Sequence, residues 1–360
     1  MSENSSIEWT DNTFNPFIGC TKVSPGCDNC YAEQMMDTRL HRVRWGAGQP
    51  RVRTSAANWR EPLRWNARHA EFFARHGRCE RVFCASLADV FDNEVPVAWR
   101  VDLLDLIRRT PRLDWLVLTK RVGNVMRMLQ EVHDEGLRTP VTDDDRATKQ
   151  WLRAWLDGSP PVNVWLGATI VNQEEANRDI PKLLSVPARV LFLSMEPLLG
   201  PVSLRWLAAW PENAPGTTAQ KPGGLTNHLD GLRRLDWVIV GGESGHSARP
   251  MHPDWPRALR DQCAHAGVAF LYKQHGEWAP APWKLERETG ETDDAYKARS
   301  EAGAATHGIS PTGTLSEFSH RPWSVERATE ATPGWAAIRR AGKKAAGRML
   351  DGVTHDEFPT

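Results

Sequence analysis

Six apolar runs of strand length recur along the chain, at 81–85, 115–119, 162–168, 190–193, 237–240 and 268–272, and several are separated by stretches of helical period. This alternation constrains the fold most. Apolar runs without polar alternation suit strands covered on both faces. Helices between them return the chain to start the next strand in the same direction, which builds parallel β/α units. One helical stretch opens at Pro96, carries Val97, Val101, Leu104 and Ile107 on one stripe, and stops at Pro111. A second covers roughly Val122 to Val132, and a third runs from an N-cap at Asp254 to a C-cap glycine at Gly267. Arg112–Val117 and Arg234–Ile239 share an Arg-Leu-Asp-Trp opening, as two equivalent β/α steps would. With a first strand near Ile7–Phe14, the expectation is an α/β protein built as a partial or complete parallel β/α barrel. A doubly wound open sheet has the same periodicity and stays open as an alternative.

The alternation ends near Gly276, so residues 1–276 read as the barrel domain and 277–360 as a polar C-terminal extension. That extension closes with a helical piece, Trp335 to Leu350, whose Arg339, Arg340, Lys343, Lys344 and Arg348 form a charged face. Two segments interrupt the barrel pattern as loops, Thr139–Asp145 and Pro211–His228. The 45 basic and 45 acidic residues cancel, so bulk charge does not make the molecule a polyanion binder. No apolar run approaches the ~18 residues of a membrane span. Residues 1–8 lack the layout of a signal peptide, and the expected location is cytoplasmic with no membrane partner. Clustered cysteines in that compartment bind metal or do chemistry more often than they form disulfides.

Three of the six cysteines fall in one such cluster, Cys20, Cys27 and Cys30, in the pattern C-x6-C-x2-C. Gly19, Pro25 and Gly26 make the segment a loop, which can bend three thiolates toward one region. Soft thiolates select iron–sulfur clusters, zinc or copper(I). Three ligands leave a coordination position for something other than protein. Cys84 and Cys263 lie in apolar settings and read as small core residues.

Chemistry in β/α folds gathers at the carboxyl ends of the strands. The polar residues there are Ser86 and Asp89, Thr119-Lys120-Arg121, Thr169, Ser194 and Glu196, Gly241-Gly242-Glu243-Ser244, and Lys273-Gln274. Singly, each has a plain explanation as a rim salt bridge. Together, Lys120, Glu196, Glu243 and Lys273 point to a polar pocket. Neither a G-x-x-x-x-G-K-[ST] loop nor a G-x-G-x-x-G fingerprint occurs, so nucleoside triphosphates and dinucleotides lack support.

Between Arg39 and Arg81 lie eleven arginines, no lysine and three glutamates, with Trp45, Trp59 and Trp65 interleaved. This is either a solvated scaffold face or a phosphate-contacting surface with stacking side chains. On the second reading Arg51, Arg53 and Arg60 are the contacts.

The run Asn15-Pro16-Phe17-Ile18-Gly19-Cys20 through Cys27-Asp28-Asn29-Cys30-Tyr31-Ala32 resembles the cluster loop of radical S-adenosylmethionine enzymes, above all the spore-photoproduct-lyase-like branch. Over most of its length the chain also resembles phage- and prophage-encoded three-cysteine-motif proteins of uncharacterised function. That likeness rests on Ile7–Thr10, the cysteine loop, Leu193–Leu198, Val240–Gly245 and Lys343–Arg348. The resemblance implies a [4Fe–4S] cluster on Cys20, Cys27 and Cys30, with S-adenosylmethionine on the fourth iron. It further implies a reductant of flavodoxin or ferredoxin type and radical chemistry on substrate. Tyr31, Ser86, Asp89 and Thr169 are then the cosubstrate contacts, and Lys120, Glu196 and Glu243 the catalytic candidates. The arginine stretch adds single-stranded or flipped-base nucleic acid as partner, and a partner protein is a further expectation. The superfamily spaces its first two cysteines more closely and places an aromatic residue where Asn29 stands. A small-molecule or peptide substrate stays open. So does a non-catalytic zinc module completed by a histidine such as His246 or His252.

Overall fold

The computed structural model describes residues 5–135, 142–205, 207–209, 227–283, 285–317 and 334–359. Each expected strand forms. The main sheet contains β1 (Asn12–Thr13), β2 (Glu80–Cys84), β3 (Leu113–Thr119), β4 (Val164–Thr169), β5 (Val190–Met195), β6 (Trp237–Gly241) and β7 (Ala269–Gln274). All neighbouring pairs are parallel, and the order across the sheet is the order along the chain. A doubly wound sheet reverses its strand order at a switch point. This one never does, so it is singly wound.

The sheet is also curled. Phe83 on β2 and Trp237 on β6 are four strands apart, about 19 Å on a flat sheet. Yet the Trp9 ring lies 4.5 Å from Phe83 and 6.4 Å from Trp237, centroid to centroid. One indole can touch both only if the sheet wraps around it, as half of a barrel.

Strand parity divides the apolar residues between the two faces of this half-barrel. Val82, Val117, Leu166, Leu193, Val238 and Phe270 face outward. They pack with Leu103 and Ile107 of the helix Val97–Arg109, Met128 of Val125–Glu135, Ile180 of Gln173–Ser185 and Leu259 of Asp254–Ala266. The alternate residues Phe83, Leu116, Trp165, Phe192, Trp237, Ile239 and Leu271 face inward with Trp9. Helix ends follow local chemistry. Thr142 and Asp145 form a capping box at the start of Asp143–Leu156, so part of the acidic segment expected as loop is a helix opening. Gly267 ends its helix in the left-handed conformation (φ 69°), as the sequence predicts, while Pro253 rather than Asp254 takes the N-cap position.

Residues after Gly276 make a separate antiparallel sheet in the order β8 (Trp278–Pro280), β11 (Ala336–Arg340), β9 (His307–Ile309), β10 (Leu315–Glu317). The expected helix Trp335–Leu350 is therefore corrected. Its first half is β11, paired on both sides, and only Lys343–Ala346 is helical, between Gly342 and Gly347 at φ 83° and 72°. Two strand partners and two positive-φ glycines outweigh the helix propensity of its alanines. The tail then returns to the barrel, with Asp356 bridging Leu271 and the Phe358 ring 5.0 Å from Trp237. The expected loop Pro211–His228 lies outside the described residues except for Asn227 and His228, which with Leu229 pair with Leu207–Ala209. Among the described residues no helix is long and apolar enough to cross a membrane.

Candidate functional site

The inward-facing parity continues past the rings, and there its chemistry changes. On β4 it reads Trp165, Gly167, Thr169; beyond Phe192 on β5 it reads Ser194 and Glu196; on β7, Leu271 and then Lys273. Lys120 follows Leu118 just past β3. These upper residues meet one another. Lys120 Nζ lies 3.4 Å from Thr169 Oγ1, Ser194 Oγ donates to Glu196 Oε1 at 3.4 Å, and Lys273 Nζ pairs with Glu196 Oε2 at 2.6 Å. Two backbone positions make room. A Cβ on Gly167 would stand 2.3 Å from the Phe192 ring, and one on Gly241 would stand 3.2 Å from Glu196 Oε2. The half-barrel thus has an aromatic floor and a polar mouth formed at the ends of β3, β4, β5 and β7.

The cysteine loop lies across that mouth, fixed at several points. Gly19 N–H donates to Leu87 O at 3.0 Å, past the end of β2. Arg121, past β3, donates to Thr21 O at 2.6 Å and lies 3.4 Å from Cys20 Sγ. Ser24 caps the short 3-10 turn Pro25–Cys27. At Gly26 the loop presses on the ends of β4 and β5, where an added Cβ would meet Val171 at 2.7 Å and Pro197 at 3.7 Å. Beyond β6, Asn29 donates to Glu243 Oε2 (3.0 Å) and Ser247 O (2.9 Å). Arg249 ties Glu243 (2.7 Å) to Asp28 (3.0 Å) and Pro25 O (2.8 Å).

Beneath Cys20 sit two enclosed ion pairs, Arg51–Asp92 at 2.7 Å and Arg121–Asp89 at 3.1 Å. Burial, with help from Asp89, pushes the Cys20 thiol up to about 12, against the pull of Arg121. At Glu243 burial also acts upward, but the hydrogen bonds from Arg249 and Asn29 outweigh it and hold the carboxyl below its usual range.

The structure brings Lys120 and Thr169 together, and on the neighbouring strand Glu196 follows Ser194 with Lys273 as its partner. Tyr31 reaches Ser86 and lies within the field of Lys273. Glu243 does not join them, because both of its oxygens serve the Asn29–Arg249 clamp. Asp89 is likewise engaged, accepting from Thr119 Oγ1, Lys120 N and Arg121. Arg51 departs furthest from its expected role. Its side chain is fully enclosed and bonded to Asp92, Thr21 and two carbonyls, so it is a strut beneath the loop and not a phosphate contact. Arg53 pairs with Asp102 at 2.7 Å and stacks on Trp59 at 4.2 Å, while Arg60 is exposed. No local signal marks Asn29, whose partners Glu243 and Ser247 lie more than 200 positions away, or the equally distant contacts of Arg249 with Asp28 and Pro25.

All six cysteines are free thiols. His252 is buried, with Nε2 at 2.9 Å from Gly334 O and Nδ1 accepting from Asp254 N, so both ring nitrogens are already engaged. Among the described residues, no three His, Cys, Asp or Glu side chains converge as ligands of a single ion. In a four-iron cluster each cysteine meets a different iron, so the sulfurs need not share one point. A loop donor set of three thiols fits such a cluster.

Two cavities, of about 430 and 280 Å³, open at the other end of the strands, one around Asp11, Arg68 and Glu80 and one around Asp114, Trp165 and Arg189. Neither contains a residue of the mouth.

No curated protein and no solved structure matches the chain. Residues 4–359 match the model of a family described as "Protein of unknown function (DUF5131)". A match over nearly the whole chain, carrying the half-barrel, its mouth and the cysteine loop alike, means that the protein belongs to the DUF5131 family.

Proposed function

We propose that this protein is an iron–sulfur enzyme of the radical S-adenosylmethionine type that modifies or repairs a base or nucleotide of nucleic acid. One observation carries the reading: three free thiols lie on a single loop clamped across the polar mouth of a singly wound parallel half-barrel. Cys20, Cys27 and Cys30 would hold a [4Fe–4S] cluster, which when bound supplies one-electron reductive cleavage of S-adenosylmethionine to methionine and a 5′-deoxyadenosyl radical. An external reductant of flavodoxin or ferredoxin type provides the electron.

The chain's own residues have separate tasks. The clamp of Asn29, Glu243 and Arg249 and the ion pairs under Cys20 hold the loop against the strand ends. Tyr31, Ser86 and Thr169 offer hydroxyls to the cosubstrate, and Asp89 positions Lys120 and Arg121 through its hydrogen bonds. Lys120 is a cation facing the mouth for an anionic group of cosubstrate or substrate. Glu196, held by Lys273, presents a carboxylate that can accept a hydrogen bond from a base edge. The rings of the floor keep water from below.

Anaerobic reconstitution with iron and sulfide, followed by S-adenosylmethionine and dithionite, tests the reading. Charge-transfer absorption of a reconstituted cluster and formation of 5′-deoxyadenosine are expected, both lost in Cys27→Ala. Stoichiometric zinc in the natively purified protein, or 5′-deoxyadenosine formation undiminished in Cys27→Ala, would overturn it.

A further inference from the structure

We infer that the segment Arg39–Arg44, beside the cysteine loop, is the phosphate-contacting surface for a single-stranded nucleic acid delivered to the mouth. The inference rests on the functional reading above for the role of the mouth, but its own evidence is separate.

Arg39, Arg42 and Arg44 are exposed, and none forms an ion pair with another described residue. Most other arginines of the basic stretch are already engaged. Arg51 pairs with Asp92, Arg53 with Asp102, Arg64 with Glu61, Arg75 with Glu71 and Arg78 with Asp11. Val43 explains the outward set of its neighbours. It is buried against Ala32, Met36 and Leu87, so the adjacent Arg42 and Arg44 are thrown outward. The segment is fixed to the cysteine loop, since Gly46 N–H donates to Cys20 O at 3.0 Å and Trp45 packs on the same small cluster as Cys30. Arg39 ends the helical stretch that Tyr31 begins. Tyr31 is 54% exposed and can stack an unpaired base. A molecule of zero net charge that leaves three guanidinium groups uncompensated in six residues has a local anion site, and guanidinium fits phosphate with paired hydrogen bonds.

Fluorescence anisotropy of labelled single-stranded DNA and RNA oligonucleotides with the full chain, over a series of salt concentrations, tests this without any cofactor. In the Arg39→Ala/Arg42→Ala/Arg44→Ala variant, affinity should fall about tenfold or more at low salt, and the slope of log K against log salt should drop by about 2. Arg64→Ala/Arg75→Ala, which removes two carboxylate-paired arginines, should change neither. Undiminished affinity and slope in the triple variant, equal loss in the control, or no oligonucleotide binding by the native chain would each overturn the inference. So would a triple variant that binds oligonucleotide normally but is no longer reduced by a flavodoxin, since the surface would then receive an acidic protein. Oligonucleotide binding that depends on the three arginines in a chain that assembles no cluster would sink the radical-enzyme reading and leave this surface standing.

Discussion

At the amino-terminal end of the half-barrel, Trp165, Phe192 and Trp237 fill the space between the strands with rings; on the same three strands, a few residues further on, Thr169, Ser194, Glu196 and Gly241 leave it polar and open. Both sets point inward, from strands that the same outer helices back on the other face. Only the inward residue type differs, so the strands serve as rulers that place folding at one end and chemistry at the other. The comparison teaches where damage should appear. Changes to the floor should be read out as lost stability, and changes to the mouth as lost function in a protein that still folds.

The largest effect should come from the floor. Trp237 is fully buried and meets Trp9, Trp165, Phe192 and Phe358, and Trp237→Ala should cost about 3–5 kcal/mol in urea unfolding. A loss below about 1 kcal/mol would mean that the rings are not the packed centre they resemble. A middle-sized effect belongs to the clamp and depends on pH. Because the folded pKa of Glu243 is depressed, its contribution is complete above the unfolded carboxylate value of about 4.3 and is lost as pH falls through the folded one. Amide protection factors across residues 20–30 should fall with that titration, whereas Glu243→Gln should show weaker protection at neutral pH and no such step. An identical step in the variant would assign the acid response elsewhere. The smallest stability effect is expected at the mouth. Lys120 has one long contact with Thr169, and Lys120→Met should shift stability by less than about 0.5 kcal/mol. A larger loss would blur the division between the two ends.

Much of the scaffold could be read from the chain alone, because apolar runs and helix stripes are local signals. Arg81–Ala85 and Val190–Leu193 are strands for reasons contained in their own residues. The polar strand ends are legible as well, since Lys120, Thr169 and Glu196 each follow an apolar run. What stayed hidden depends on distant partners. Arg51 looked like a phosphate contact until Asp92, 41 residues on, enclosed it. Glu243 looked like one more rim carboxylate, but its partner Asn29 lies 214 residues away. The direction of each inward residue was hidden too, since apolar runs covered on both faces have no polar alternation to reveal parity.

The clamp between Asn29 and the Glu243–Arg249 turn has a consequence for the order of assembly. The cysteine loop is encoded near the start of the chain, but one of its anchors is provided only after β6, and contacts so far apart in sequence close late. A segment made among the first is therefore secured among the last. Until the sixth strand is in place, its thiols hang from one side only, and any group they take up before then is held by an unfinished molecule.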